Sequence, residues 1–187
     1  MPTRFVVTCT ALLLFILHPS SIILSQSPVL RIEMGMHTAN IWRIATDAQG
    51  RFLVTASEDK TARVWELPSG RLLRVLRPPI GEGSKGKLLA VAISSDGNTI
   101  AAGGSTNKES GTVESIYLFD RASGRLRQRL TGLPDVVFHL AYSRDGRWLA
   151  ATLGAGKGVR LYAVAEGYIL AHSDIQYGNH SLGIATK

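Results

Sequence analysis

One feature restricts the fold of this chain more than any other, and it is a unit that occurs three times. Three polar turns, Asp47-Ala48-Gln49-Gly50, Ser95-Asp96-Gly97 and Arg144-Asp145-Gly146, each separate two apolar stretches. The stretches before them are Ile41–Ala45, Leu88–Ile93 and Val136–Tyr142, and those after them are Phe52–Ala56, Thr99–Ala102 and Trp148–Leu153. Next come Val64-Trp65, Leu118-Phe119 and Leu161-Tyr162, with a glycine five residues beyond each aromatic at Gly70, Gly124 and Gly167. The turn glycines at 50, 97 and 146 set a period of roughly fifty residues. Short β-branched and aromatic runs bounded by glycine turns read as strands. Each unit therefore predicts four antiparallel strands, and a repeat of that size and content predicts β-propeller blades.

The best-formed unit is Arg51–Gly70, RFLVTASEDKTARVWELPSG. Within it, SEDKTARVWE at Ser57–Glu66 resembles the third-strand signature of WD-repeat propellers, with Glu66 in place of the family's aspartate. Gly35-Met36-His37 is similar to the Gly-His that opens such a repeat, with one residue inserted. The resemblance covers roughly residues 28–172. It implies that His37, Ser57, Asp59 and Trp65 form a buried structural network. In it the turn carboxylate accepts from the imidazole, and the hydroxyl and indole N–H complete the chain. Repeats two and three carry Phe119 and Tyr162 at the tryptophan position and no matching turn aspartate, so apolar packing is expected to hold them.

The expected fold is all-β, an incomplete WD-repeat-like β-propeller of the bacterial exported type. It divides into a signal peptide (1–25), an N-terminal closing strand (26–36), blade 1 (37–77), a connector (78–87), blade 2 (88–132) and blade 3 (133–173). Residues 174–187 read as a tail or the start of a truncated fourth blade. Pro28–Gly35 aligns with the fourth strands Arg71–Leu76 and Arg125–Gly132, so the chain opens on a fourth strand lacking its own first three. Propeller rings take about four to eight blades, so three are expected to belong to a longer propeller or to complete a ring by self-assembly.

The N-terminus reads as an address. One positive charge in Met1–Arg4 precedes the apolar run Phe5–Leu17, which His18-Pro19-Ser20-Ser21 breaks before Ser25. That is the pattern of a secretory signal, which places the body of the chain in the periplasm or outside the cell. The alternative is an uncleaved inner-membrane anchor over residues 5–24, and membrane contact would then run through that segment alone. The single cysteine, Cys9, lies inside it, so the body has no disulfide framework and no cysteine metal site.

Other chemistry is sparse. Ser57, His37 and Asp59 have the residue types of a hydrolase triad, but no strained Gly-x-Ser-x-Gly turn presents the serine. His139, His172 and His180 lack metal-ligand spacing. Gly81–Gly86 lacks the full phosphate-loop pattern and reads as a connector. The formal charge of +7 is spread along the chain, and Arg125, Arg127 and Arg129 alternate on an outer strand where charge protects an edge. Scattered arginines without interleaved aromatics, behind an export signal, argue against nucleic acid. No catalytic residue, cofactor or metal is expected. The expected function is an exported non-catalytic scaffold for a protein or peptide partner, with the Gly104–Glu114 loop and the Pro78–Lys87 connector as candidate regions and no individual contact assigned. The competing expectation is the propeller portion of a larger exported enzyme, such as a caspase-like peptidase, with its catalytic domain elsewhere.

Overall fold

A computed structural model describes residues 35–106 and 113–175. The expected signal or anchor segment, most of the 26–36 closing strand and the 176–187 tail lie outside these residues. The described residues form twelve strands and no helix. Blade 1 comprises β1 (Ile41–Thr46), β2 (Phe52–Ser57), β3 (Ala62–Glu66) and β4 (Leu72–Leu76). Blade 2 comprises β5 (Lys87–Ile93), β6 (Thr99–Ser105), β7 (Glu114–Asp120) and β8 (Leu126–Leu133). Blade 3 comprises β9 (Val137–Tyr142), β10 (Trp148–Leu153), β11 (Val159–Ala163) and β12 (Ile169–Asp174). Each blade is a four-stranded antiparallel meander in chain order. The fold is the expected all-β, WD-repeat-like propeller architecture.

The turns explain why the meander recurs. In each blade an oxygen three residues before the turn glycine accepts from the amide that restarts the next strand. Phe52 N donates to Asp47 Oδ1 at 2.9 Å, Thr99 N to Ser94 Oγ at 2.9 Å, and Trp148 N to Ser143 Oγ at 3.0 Å. An aspartate thus does in blade 1 what a serine does in blades 2 and 3. Gly50, Gly97 and Gly146 follow with φ between 64° and 75°, a backbone region that a Cβ disfavours.

Alternation along the strands sends one set of side chains toward each neighbouring blade. Blade 2 is apolar on both faces. Leu88, Val91, Ile100, Tyr117 and Phe119 pack with Val54, Ala56 and Val64 of blade 1. Ala90, Ala92, Ala101, Ile116 and Leu118 pack with Leu140, Leu149 and Tyr162 of blade 3. Each fully buried large side chain contributes about 1.5–3 kcal/mol of transfer free energy, so these two layers dominate the stability of the arc. At one rim Arg121 lies 3.9 Å from the Phe52 ring centroid and donates to Gly97 O, while Arg51 donates to Asp96 O at 2.8 Å. Arg127 and Arg129 of the outer strand β8 are tied to Asp120 and to Ser115 Oγ.

Candidate functional site

His37 precedes β1, and Asp59 sits in the β2–β3 turn, which Lys60 closes with a φ of 68°. The His37 imidazole and the Asp59 carboxylate are buried, at 3% and 6% exposure, with Nδ1 and Oδ2 2.8 Å apart. His37 Nε2 lies 2.7 Å from Thr55 Oγ1, to which Trp65 Nε1 donates at 3.1 Å. A single donor direction satisfies the whole chain. The indole N–H donates to Thr55, the Thr55 hydroxyl to Nε2, and Nδ1–H to the carboxylate. Burial alone pushes the Asp59 carboxyl up. The Thr61 hydroxyl (2.6 Å), the His37 imidazole and the Thr38 amide (3.2 Å) outweigh it and hold the group below its ordinary value.

The structure therefore joins His37, Asp59 and Trp65, and the hydroxyl between imidazole and indole is that of Thr55 rather than Ser57. The reason is register. Trp65 pairs with Leu53, so Thr55 is its diagonal neighbour, whereas Ser57 lies two residues, about 6.6 Å, further along β2. Ser57 Oγ instead donates to Ala39 O at 3.1 Å and accepts from Asp59 N at 3.1 Å, which fixes the turn. All of Ser57 is buried, so this hydroxyl has no approach path for a substrate carbonyl. Among the described residues no cluster of three or more histidine, cysteine or acidic side chains is arranged to hold a metal.

A second cluster lies beside this network. The inner strand of each blade carries a β-bulge at the same place, between Ile41 and Arg43, between Leu88 and Ala90, and opposite the Thr152–Leu153 step. The extra residues are Trp42, Leu89 and Phe138. A bulge re-aims its side chain, and the exposed Trp42 is held there by its indole N–H, which donates to Glu58 Oε1 at 2.8 Å. Lys87 Nζ meets the other Glu58 oxygen at 2.9 Å, and Lys60 Nζ donates to Gly81 O at 2.6 Å. The Lys87 ammonium and the Trp42 indole hold the Glu58 carboxyl below its ordinary value. The 78–87 connector is thus fastened to the first blade's turn. Of the Gly104–Glu114 loop, residues 107–112 lie outside the described residues. Its base is closed by the buried Glu114, which accepts from Thr106 N and Oγ1 at 2.5 and 2.8 Å. Neither Thr55 nor Trp42 was singled out by the sequence reading. An aromatic in the first residues of an inner strand, followed by an arginine, was the available signal for Trp42.

Comparison with known proteins finds similarity to WD-repeat chains. Residues 29–66 match the family model "WD domain, G-beta repeat". The chain is 31% identical over 112 residues to rat (Rattus norvegicus) Coronin-7, covering 59% of this chain and 11% of that protein. It is 33% identical over 98 residues to WD repeat-containing protein 1 of Xenopus tropicalis, covering 51% of this chain and 14% of that one. Among solved structures, "Crystal structure of RRP9 WD40 repeats" superposes with a TM-score of 0.62 at 25% identity, over 81% of this chain and 42% of that one. The fold is that of a β-propeller segment, and its first repeat is similar to a WD repeat. The chain spans under half the length of that structure and at most 14% of these two curated relatives. The resemblance to WD repeats therefore stands on eukaryotic relatives, and none of these findings bears on a bacterial exported type.

Proposed function

We propose that this chain is a non-catalytic interaction scaffold that binds a protein or peptide over the face carrying Trp42, and that it works outside the cytoplasm. The observation that supports the binding reading is the exposed indole of Trp42, fixed on a bulged strand by Glu58 and Lys87. Aromatic side chains immobilised before binding lose little entropy when a partner covers them, and they are over-represented among residues that dominate interfaces. WD-repeat relatives support the same class of function. The export half of the reading rests on the N-terminal sequence pattern alone.

The test is a capture experiment on periplasmic and culture-medium fractions, comparing wild type with Trp42→Ala and Lys87→Glu. Partners retained by wild type and lost by both variants are the expected result, and indistinguishable capture profiles would refute the assignment of this face. Mass spectrometry of the chain from its native host tests export, with cleavage after Ser25 expected. The competing reading, a propeller portion of a larger exported enzyme, places any catalysis outside these residues. Reading the locus beyond codon 187 in all three frames separates the two.

A further inference from the structure

The bulge on each inner strand separates what a blade requires from what blade 1 adds. In blade 3 the bulged residue Phe138 lies on Gly154, where a Cβ would fall 2.8 Å from Phe138 Cε2. Gly154 follows the residue opposite Val137, as Glu58 follows the residue opposite Ile41 and Ser105 the residue opposite Leu88. The meander is thus built with glycine, serine or glutamate at this point, and it needs neither a carboxylate nor an exposed indole there. In blade 1 the position holds Glu58 with both oxygens engaged, one by the Trp42 indole at 2.8 Å and the other by Lys87 at 2.9 Å.

Cations collect around that group. Lys60, in the same turn as Glu58, sends its ammonium to Gly81 O at 2.6 Å. Lys85 lies along the same glycine, since a Cβ on Gly81 would fall 2.5 Å from Lys85 Cδ. Arg43 follows Trp42, and its guanidinium donates to the Trp42 carbonyl at 3.1 Å. Lys60, Lys85, Lys87 and Arg43 are set against two carboxylates, Glu58 and the exposed Glu82 of the connector. The other acidic groups of these turns are engaged within the protein, Asp59 by His37, Thr61 and Thr38, and Glu114 by Thr106. The indole therefore stands in a positive surround, which favours an anionic partner.

The placement of the lysines suits a carboxylate on a chain better than an extended anionic surface. Lys60, Lys85 and Lys87 are each only partly exposed, and the ammoniums of Lys60 and Lys87 are tied to a carbonyl and to a carboxylate. A bilayer is met by long cationic side chains free to reach it, whereas a peptide can place one carboxylate among half-buried ammoniums and an apolar side chain on the indole. We propose, resting on the reading of the Trp42 face as the docking face, that its partner is an acidic peptide segment. One carboxylate of that segment reaches the Lys60, Lys85 and Lys87 ammoniums, and a neighbouring apolar side chain covers Trp42.

Three labelled peptides of about eight residues test it, each alternating leucine with glutamate, glutamine or lysine. Fluorescence anisotropy with the full chain should give the glutamate peptide a Kd at least about 10-fold below that of the glutamine peptide, with the lysine peptide weakest. Added salt should erode that preference. Lys60→Gln/Lys85→Gln should weaken the glutamate peptide about 10-fold and leave the glutamine peptide unchanged, which also reports that the face is still folded. Lys60→Arg/Lys85→Arg keeps the charges and should bind the glutamate peptide as wild type does. Lys87 is left in place because it also holds Glu58. Trp42→Ala should weaken the glutamate and glutamine peptides alike. A glutamine or lysine peptide bound through Trp42 as tightly as the glutamate one would overturn the acidic partner and leave the docking face standing. A glutamate preference that survives Lys60→Gln/Lys85→Gln would overturn the role of these lysines. The absence of any Trp42-dependent binding among the three would overturn both the partner and the docking face.

Discussion

Thr55 is the residue on which the blade 1 network turns, because its hydroxyl serves both the imidazole and the indole. Thr55→Val keeps the shape but leaves two partly buried ring nitrogens without that partner, which costs about 1–3 kcal/mol. Ser57→Ala removes only the turn contacts to Ala39 and Asp59, and its effect should be nearer 1 kcal/mol. Urea unfolding of the two variants side by side measures the difference, and an equal or reversed order would return the bridging role to Ser57. Asp59 adds a pH dependence of defined sign. Its carboxyl is held below the ordinary aspartate value in the folded state, so its contribution is full above that value, about 3.9, and is lost as pH falls through the lower folded value. Asp59→Asn should therefore be less stable than wild type at neutral pH and converge on it in acid. Thermal unfolding between pH 7 and pH 3 checks this, and parallel curves would show that Asp59 is not a source of the acid sensitivity. The sequence pointed to three of the four network residues because the WD signature names residue types at fixed spacing. It missed the fourth because Thr55 and Ser57 share one face of β2, and only the strand register decides which of them reaches the indole.

At the scale of the element, the β1–β2 turn is where one blade grips the next, and two glycines in equivalent turns separate conformation from contact. Gly50 and Gly97 have φ values of 64° and 75°, so alanine at either incurs the left-handed penalty of about 1–2 kcal/mol. A Cβ on Gly50 meets nothing within 4 Å. One on Gly97 lies 2.9 Å from Arg51 Nη2, the guanidinium that bonds Asp96 O and stands with Arg121 around the Phe52 ring. Gly97→Ala should therefore destabilise more than Gly50→Ala, and pairing it with Arg51→Ala should recover part of the excess. A double-mutant cycle measured by chemical denaturation tests this, and additivity would exclude the coupling. The strands themselves were readable because glycine turns and β-branched runs alternate with little ambiguity. The blade-to-blade grips were not, since Arg51, Arg121 and Phe52 are far apart in sequence and nothing local marks them as neighbours.

For the whole molecule, stability is carried by layers between blades, and the layers are unequally shared. Blade 2 is sealed on both sides, with Tyr117 and Phe119 against blade 1 and Ile116 and Leu118 against blade 3. Blades 1 and 3 each have one such layer among the described residues, and β1 and β12 present mostly exposed side chains. In a repeat protein whose units contact only their neighbours, local opening free energy should follow the number of sealed faces. Amide exchange is therefore expected to be slowest in β6 and β7, intermediate in β2 and β10, and fastest in β12 and β1. Exchange followed strand by strand checks this order, and uniform protection across the three blades would contradict the layered account.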